Sequence, residues 1–94
     1  MENQEQRVII TVVGKDKIGL VAGVSAVLAE QAVNILDNRQ TLMQDFFTMI
    51  ILGQQTAAEP SLSALQAALK ATGEQLGVQI TCQHEDIFDY MHRI

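Results

Sequence analysis

Gly14-Lys15-Asp16-Lys17-Ile18-Gly19 is the stretch whose residue types and spacing best suit contact with a small molecule. A glycine at each end lets the chain take a positive φ or lets another group come close to the backbone. Leu20, Val21, Val24, Val27 and Leu28 follow at helical spacing, so the stretch predicts a tight loop running into an amphipathic helix. The N–H groups from Ile18 to Val21 then have no intrahelical acceptor. With the positive end of the helix dipole they suit a carboxylate or phosphate. Gly19 leaves room for a ligand to approach, and Asp16 offers a charge for an ammonium group. Each has a plainer use: Gly19 in backbone geometry, Asp16 in capping the turn or helix. Lys15 and Lys17 read as solvated loop residues that keep the junction mildly positive.

Other chemistry is poorly supported. Gly14 and Gly19 have P-loop spacing, but that motif continues with Lys and Ser/Thr to reach phosphates and magnesium, and here Leu20 and Val21 follow. No G-x-G-x-x-G dinucleotide fingerprint is present. His84 and His92 fall on different predicted elements without zinc-ligand spacing, so no metal is expected. Cys82 lies on an apolar strand face with no base placed beside it, which suits packing rather than nucleophilic attack. Glu85, Asp86 and Asp89 read as a solvated face and a cap. Neither a catalytic residue nor a cofactor is expected.

The elements that position the loop are legible from periodicity. Arg7–Val13 is apolar on both alternating faces, a central strand. The first helix is expected from Ile18 to Ala32, with Asn34 suited to the left-handed residue that ends it. Ile35–Met43 is the most polar strand and a natural edge. Gln44-Asp45 makes a hairpin turn into Phe46–Leu52, again apolar on both faces, and Gly53–Pro60 reads as a loop. Ser61 caps a second helix carrying Leu62, Leu65, Ala68, Leu69 and Leu76. Gly73 makes its far end irregular and Gly77 stops it. Val78, Ile80 and Cys82 alternate with polar residues as a half-buried strand. Ile87, Phe88, Met91 and Ile94 recur at helical spacing in a short terminal helix that Asp86 can cap. The order is βαββαβ, and right-handed split crossovers then place both helices on one face of an antiparallel sheet. The expectation is therefore an α+β, ferredoxin-like sandwich with a four-stranded antiparallel sheet and a short C-terminal helix. The other sheet face stays apolar and calls for a cover.

The G-K-D-K-x-G loop followed by L-V-A-x-V resembles the ACT domain, a small ligand-binding regulatory module. Asn34-Ile35, Phe46-Phe47-Thr48-Met49 and the ending Asp86–Ile94 extend the resemblance over nearly the whole chain. That ending is similar to small stand-alone bacterial ACT proteins of uncharacterised function, of the glycine-cleavage-repressor-like kind. The resemblance implies a homodimer that binds an amino acid or related carboxylate. The contacts it implies are Asp16, Lys17, Ile18, Gly19, Leu20 and Val21, with Asn34 contributed by the partner subunit. Signalling would pass through a regulated partner protein. A dimerisation module that binds no ligand is the rival reading. Acylphosphatase chemistry shares the element order but needs an arginine in the phosphate loop, and residues 14–19 have none. An RNA-recognition sheet needs basic and aromatic residues together, a pattern that Phe46–Ile51 lacks.

Size and charge agree. Ninety-four residues allow one domain, here expected over residues 7–94 after a flexible tail of residues 1–6. Such a chain buries roughly 60–65% of its unfolded surface, and 48% hydrophobic residues can build that core. One cysteine forms no internal disulfide framework and suits a reducing compartment, so a cytoplasmic protein is expected. A net charge of −5 opposes nucleic acid and anionic membranes as partners. No apolar run is long enough for a bilayer.

Overall fold

The structure, a computed structural model, describes residues 6–55 and 61–85. The elements are β1 (Gln6–Lys15), α1 (Leu20–Glu30), β2 (Val33–Met43), β3 (Phe46–Gln55), α2 (Leu62–Leu76) and β4 (Gln79–His84). All strand pairings are antiparallel, and the sheet order is β2-β3-β1-β4. This is the ferredoxin-like βαββαβ arrangement expected from the periodicity. The short C-terminal helix expected over residues 87–94 lies outside the described residues.

The two central strands explain the layering. Val8, Ile10 and Val12 of β1 and Phe47, Met49 and Ile51 of β3 point to one side, all buried. Leu20, Val24 and Leu28 of α1 and Leu65 and Leu69 of α2 meet them in one core. Cys82 of β4, opposite Ile10 in the register, completes that layer. Ile9, Thr11 and Val13 of β1 and Thr48, Ile50 and Leu52 of β3 share the other face. Among the described residues no helix lies on it.

Several element ends differ from expectation, and one strand carries a bulge. The first helix starts at Leu20 and ends at Glu30, because Gly19 turns left-handed at one end and Ala32 at the other, with φ of 61°. Asn34 is therefore not the C-cap. It lies in β2 opposite Gln54. Gly53, Gln54 and Gln55 extend β3 rather than opening a loop, because they pair with both β1 and β2. A bulge at Leu36 shifts the register between Ile35 and Asp37. That extra residue exchanges the faces of β2, so polar Asn38 and Gln40 lie on the helix side of the edge strand. β1 takes in Gln6 at one end and, past the expected Val13, Gly14 and Lys15 at the other, because these pair with Phe47 and Phe46; β2 starts at Val33 rather than Ile35.

The second helix follows its sequence signals at the start. The Ser61 hydroxyl accepts a bond from the Ala64 N–H at 3.2 Å, the expected capping contact. Its far end is regular, not irregular: α2 stays helical to Leu76, with Gly73 buried against Val78 and Ile80. Thr72, buried beside it, donates its hydroxyl to the Ala68 carbonyl at 3.0 Å. That satisfies a polar group one turn back and makes its burial tolerable. Gln66 donates its side-chain amide to the Cys82 carbonyl at 2.7 Å, tying α2 to the edge strand β4.

Candidate functional site

The loop from β1 to α1 is fixed at both ends. Gly14 sits against Val78, and a Cβ at position 14 would lie 2.6 Å from the Val78 Cγ1. Glycine is thus required there by close approach. Gly19 caps α1 with φ of 91°, a left-handed conformation that favours glycine. Apart from its chain neighbours, no described residue would come within 4 Å of a Cβ at Gly19, so among the described residues that side of the backbone is open.

Beyond Gly19 the helix start is bare. The first intrahelical bond runs from the Gly23 N–H to the Gly19 carbonyl at 2.8 Å. The N–H groups of Leu20, Val21 and Ala22 therefore have no acceptor within α1. Among the described residues no side chain caps them, and the first turn holds no acidic residue. The dipole's positive end is not offset by any built-in carboxylate there. Ile18 belongs to the turn before the helix, so its N–H is not one of the helix donors. The Leu20 side chain is buried in the core, leaving its backbone to face the loop.

The charged residues have separate tasks. The Asp16 side chain is exposed, while its backbone N–H donates to the Asp45 carbonyl at 2.8 Å. Lys15 Nζ lies 3.6 Å from Asp45 Oδ2, so the loop is joined twice to the tip of the β2–β3 hairpin. Lys17 Nζ reaches Gly77, lying 3.3 Å from where a Cβ would stand, at the negative end of α2. Asp16, Ile18, Gly19, Leu20 and Val21 are thus brought together, while the Lys17 ammonium is turned towards α2.

Asn34 is not brought to them within one chain. It lies in the row of Arg7, and the loop leaves in the row of Gly14. Seven strand residues at about 3.3 Å each separate these rows, roughly 23 Å.

Sequence reasoning missed an apolar fringe beside the loop. Ile18 is fully exposed, and Leu42, Met43 and Phe46 at the hairpin are more than half exposed. The strand pattern located these residues, but the pairing of Lys15 with Phe46 was needed to place them next to the loop.

No group of three metal-ligating side chains occurs among the described residues. Burial pushes the Cys82 thiol up to about 11 from an ordinary 9.0. At neutral pH it is a protonated packing group, unsuited to attack. The sign of its pH effect follows from proton release. Unfolded chains lose the thiol proton near 9, and the folded chain holds it to about 11. This contribution to stability is complete below pH 9 and declines as pH rises through 9 to 11. Urea titrations across that range should show the decline in the parent and not in Cys82→Ala.

The fold agrees with comparison to known proteins. The sequence profile of the ACT domain matches residues 6–83. The chain belongs to the ACT domain family. It is 51% identical over 88 residues to a UPF0237 protein of Methanocaldococcus jannaschii, covering 94% of this chain and 98% of that protein. It is 40% identical to an ACT domain protein from Streptococcus pneumoniae of known structure. The two folds superpose with a TM-score of 0.78, over 89% of this chain and 94% of the other. The regulatory subunit of aspartate kinase from Thermus thermophilus shares the fold at 19% identity and a TM-score of 0.64, over 83% of this chain and 50% of that one. Relatives of matching length in an archaeon and a bacterium extend the resemblance beyond small bacterial ACT proteins. No described helix is long and apolar enough to cross a membrane.

Proposed function

We propose that this ACT domain is a regulatory, non-enzymatic module that binds an amino acid or related small carboxylate as a homodimer in the cytoplasm. The observation that carries this reading is the bare start of α1. Three N–H donors stand behind a glycine that is open on one side among the described residues, beside the exposed Asp16. A carboxylate on the Leu20 and Val21 N–H groups and an ammonium at Asp16 is the pairing that an α-amino acid offers. The same fold forms the regulatory subunit of aspartate kinase in Thermus thermophilus, so it can serve regulation.

The dimer completes the site. β2 is exposed from Asn34 to Met43 and is an edge strand of the sheet formed by the described residues. Two such edges pairing antiparallel about Asn38 would set Asn34 of the partner subunit opposite Leu42, at the loop end of the sheet. A ligand held across that junction stabilises one dimer arrangement, and the shifted population is the signal passed to a partner protein.

Amide-shift mapping by NMR with each common amino acid tests the site. The expected result is perturbation of residues 14–22 by one of them at millimolar concentration. Loss of a charge-assisted contact costs about 1.5–3 kcal/mol, so Asp16→Ala should weaken binding roughly tenfold or more. Silence of residues 14–22 with every amino acid would leave a dimerisation module without a ligand. Binding unchanged in Asp16→Ala would keep the site and remove the role given to Asp16. Sedimentation at micromolar concentration tests the dimer, and a clean monomer there would overturn it.

A further inference from the structure

The outer side of β2 is closed at one point by the strand's own side chain. Met43 and Phe46 pair across the two-residue turn Gln44-Asp45, the closing hydrogen-bonded pair of a hairpin. Peptide groups alternate in direction along a strand. Met43, Thr41, Arg39 and Asp37 therefore bond to β3, and Leu42, Gln40 and Asn38 turn their N–H and C=O groups outward. Among the described residues no strand pairs with that side. The Asn38 N–H nevertheless has an acceptor, because it donates to Asp37 Oδ1 at 2.8 Å. The other carboxylate oxygen, Oδ2, lies 3.7 Å from Arg39 Nη2. Asp37 stands opposite Leu52 and Arg39 opposite Ile50, so both side chains rise from the same face of the sheet. The Asp37 side chain is 55% exposed and that of Arg39 81%, so the contact opens into water without a large desolvation cost.

An outward-facing edge N–H is the donor that a second strand would use. Edge pairing about Asn38 requires each Asn38 N–H to reach the carbonyl of Asn38 of the partner subunit. While Asp37 Oδ1 holds that N–H, an incoming carbonyl meets a carboxylate oxygen, acceptor against acceptor. The ion pair does not alter this balance. In that register Asp37 stands opposite Arg39 of the partner subunit, so a pair within one chain is exchanged for an equivalent pair between chains.

We propose that Asp37 is a latch on the β2 edge: bound to the Asn38 N–H it holds the edge closed, and its release lets a second copy pair. The latch rests on the edge-paired dimer reading. It keeps the dimer weak enough for a ligand to shift its population, and it keeps the edge from recruiting unrelated strands.

The test is the dimer dissociation constant, from sedimentation over a dilution series, of the parent, Asp37→Ala, Asp37→Asn and Glu74→Ala. Two latches open per dimer, so Asp37→Ala should associate roughly tenfold more tightly than the parent. Asp37→Asn keeps a side-chain oxygen to accept the bond, and Glu74→Ala removes the same charge from an exposed position on α2. Both should stay nearer the parent than Asp37→Ala does. A parent that is monomeric while Asp37→Ala dimerises upholds the latch and withdraws the dimer reading for the parent. Asp37→Ala that associates no more tightly than the parent overturns the latch, as does equal tightening in Asp37→Asn or Glu74→Ala. Amide exchange locates the contact. In Asp37→Ala the Asn38 amide should exchange more slowly as protein concentration rises, and tightening without that protection also overturns the proposal.

Discussion

Ile10→Ala should lower the free energy of unfolding by about 2–5 kcal/mol, the range for truncating a fully buried aliphatic side chain. Ile10 is completely buried in the middle of β1, with Ile51 on one neighbouring strand and Cys82 on the other. Its loss removes contacts that helix and strand side chains cannot refill without moving the sheet. A domain of this kind holds only about 5–15 kcal/mol in total, so the variant would stand near the edge of folding. Val13→Ala, three residues along the same strand but on the other face and 42% exposed, is the control. It should cost a smaller amount, since fewer of its contacts are lost. Urea unfolding of both variants and the parent gives the comparison. Equal costs would contradict the division of β1 into a helix-covered face and an open one.

That division was legible because β1 and β3 are apolar on both alternating faces, while two amphipathic helices can cover only one. The expected edge position of β2 followed from Asp37, Asn38, Arg39 and Gln40 in the same way. What periodicity could not show was backbone conformation at single residues. Ala32 turns left-handed to end α1, a conformation for which Asn34 looks better suited by residue type. The reason is tertiary: Val33 must reach the core opposite Gln55, so the chain has to leave the helix before it. The bulge at Leu36 has no marker in an alternating polar segment, yet it decides which face every later β2 residue occupies. Gly53 reads as a loop by type, but it extends β3, where a Cβ would lie 2.7 Å from Val33 Cγ1. At the candidate site, residue types located the loop and its glycines. They could not reveal that Lys17 leans on α2, or that Asp45 holds the loop, because both contacts join segments distant in sequence.

Substitution of Gly19 should separate folding from binding. The residue sits at φ of 91°, and apart from its chain neighbours no described residue comes within 4 Å of where a Cβ would stand, so a Cβ there meets no described neighbour. The structural penalty is therefore one of conformation. Holding an ordinary L-residue left-handed costs about 1–2 kcal/mol, and Val, branched at Cβ, should lie at or above the top of that range. Asparagine tolerates this conformation far better, so Gly19→Asn should melt close to the parent. Both variants add a side chain at the residue that immediately precedes the Leu20 and Val21 N–H groups. If a ligand carboxylate uses those donors, displacing it forfeits two charge-assisted bonds, about 3 kcal/mol or more in sum, which is roughly a hundredfold in affinity. Thermal melts and calorimetric titration with the amino acid identified by NMR measure the two effects independently. Gly19→Asn that folds like the parent and has lost binding places the ligand at the helix start. Gly19→Asn that binds as well as the parent would move the ligand away from this backbone, and Gly19 would then serve only to turn the chain from β1 into α1.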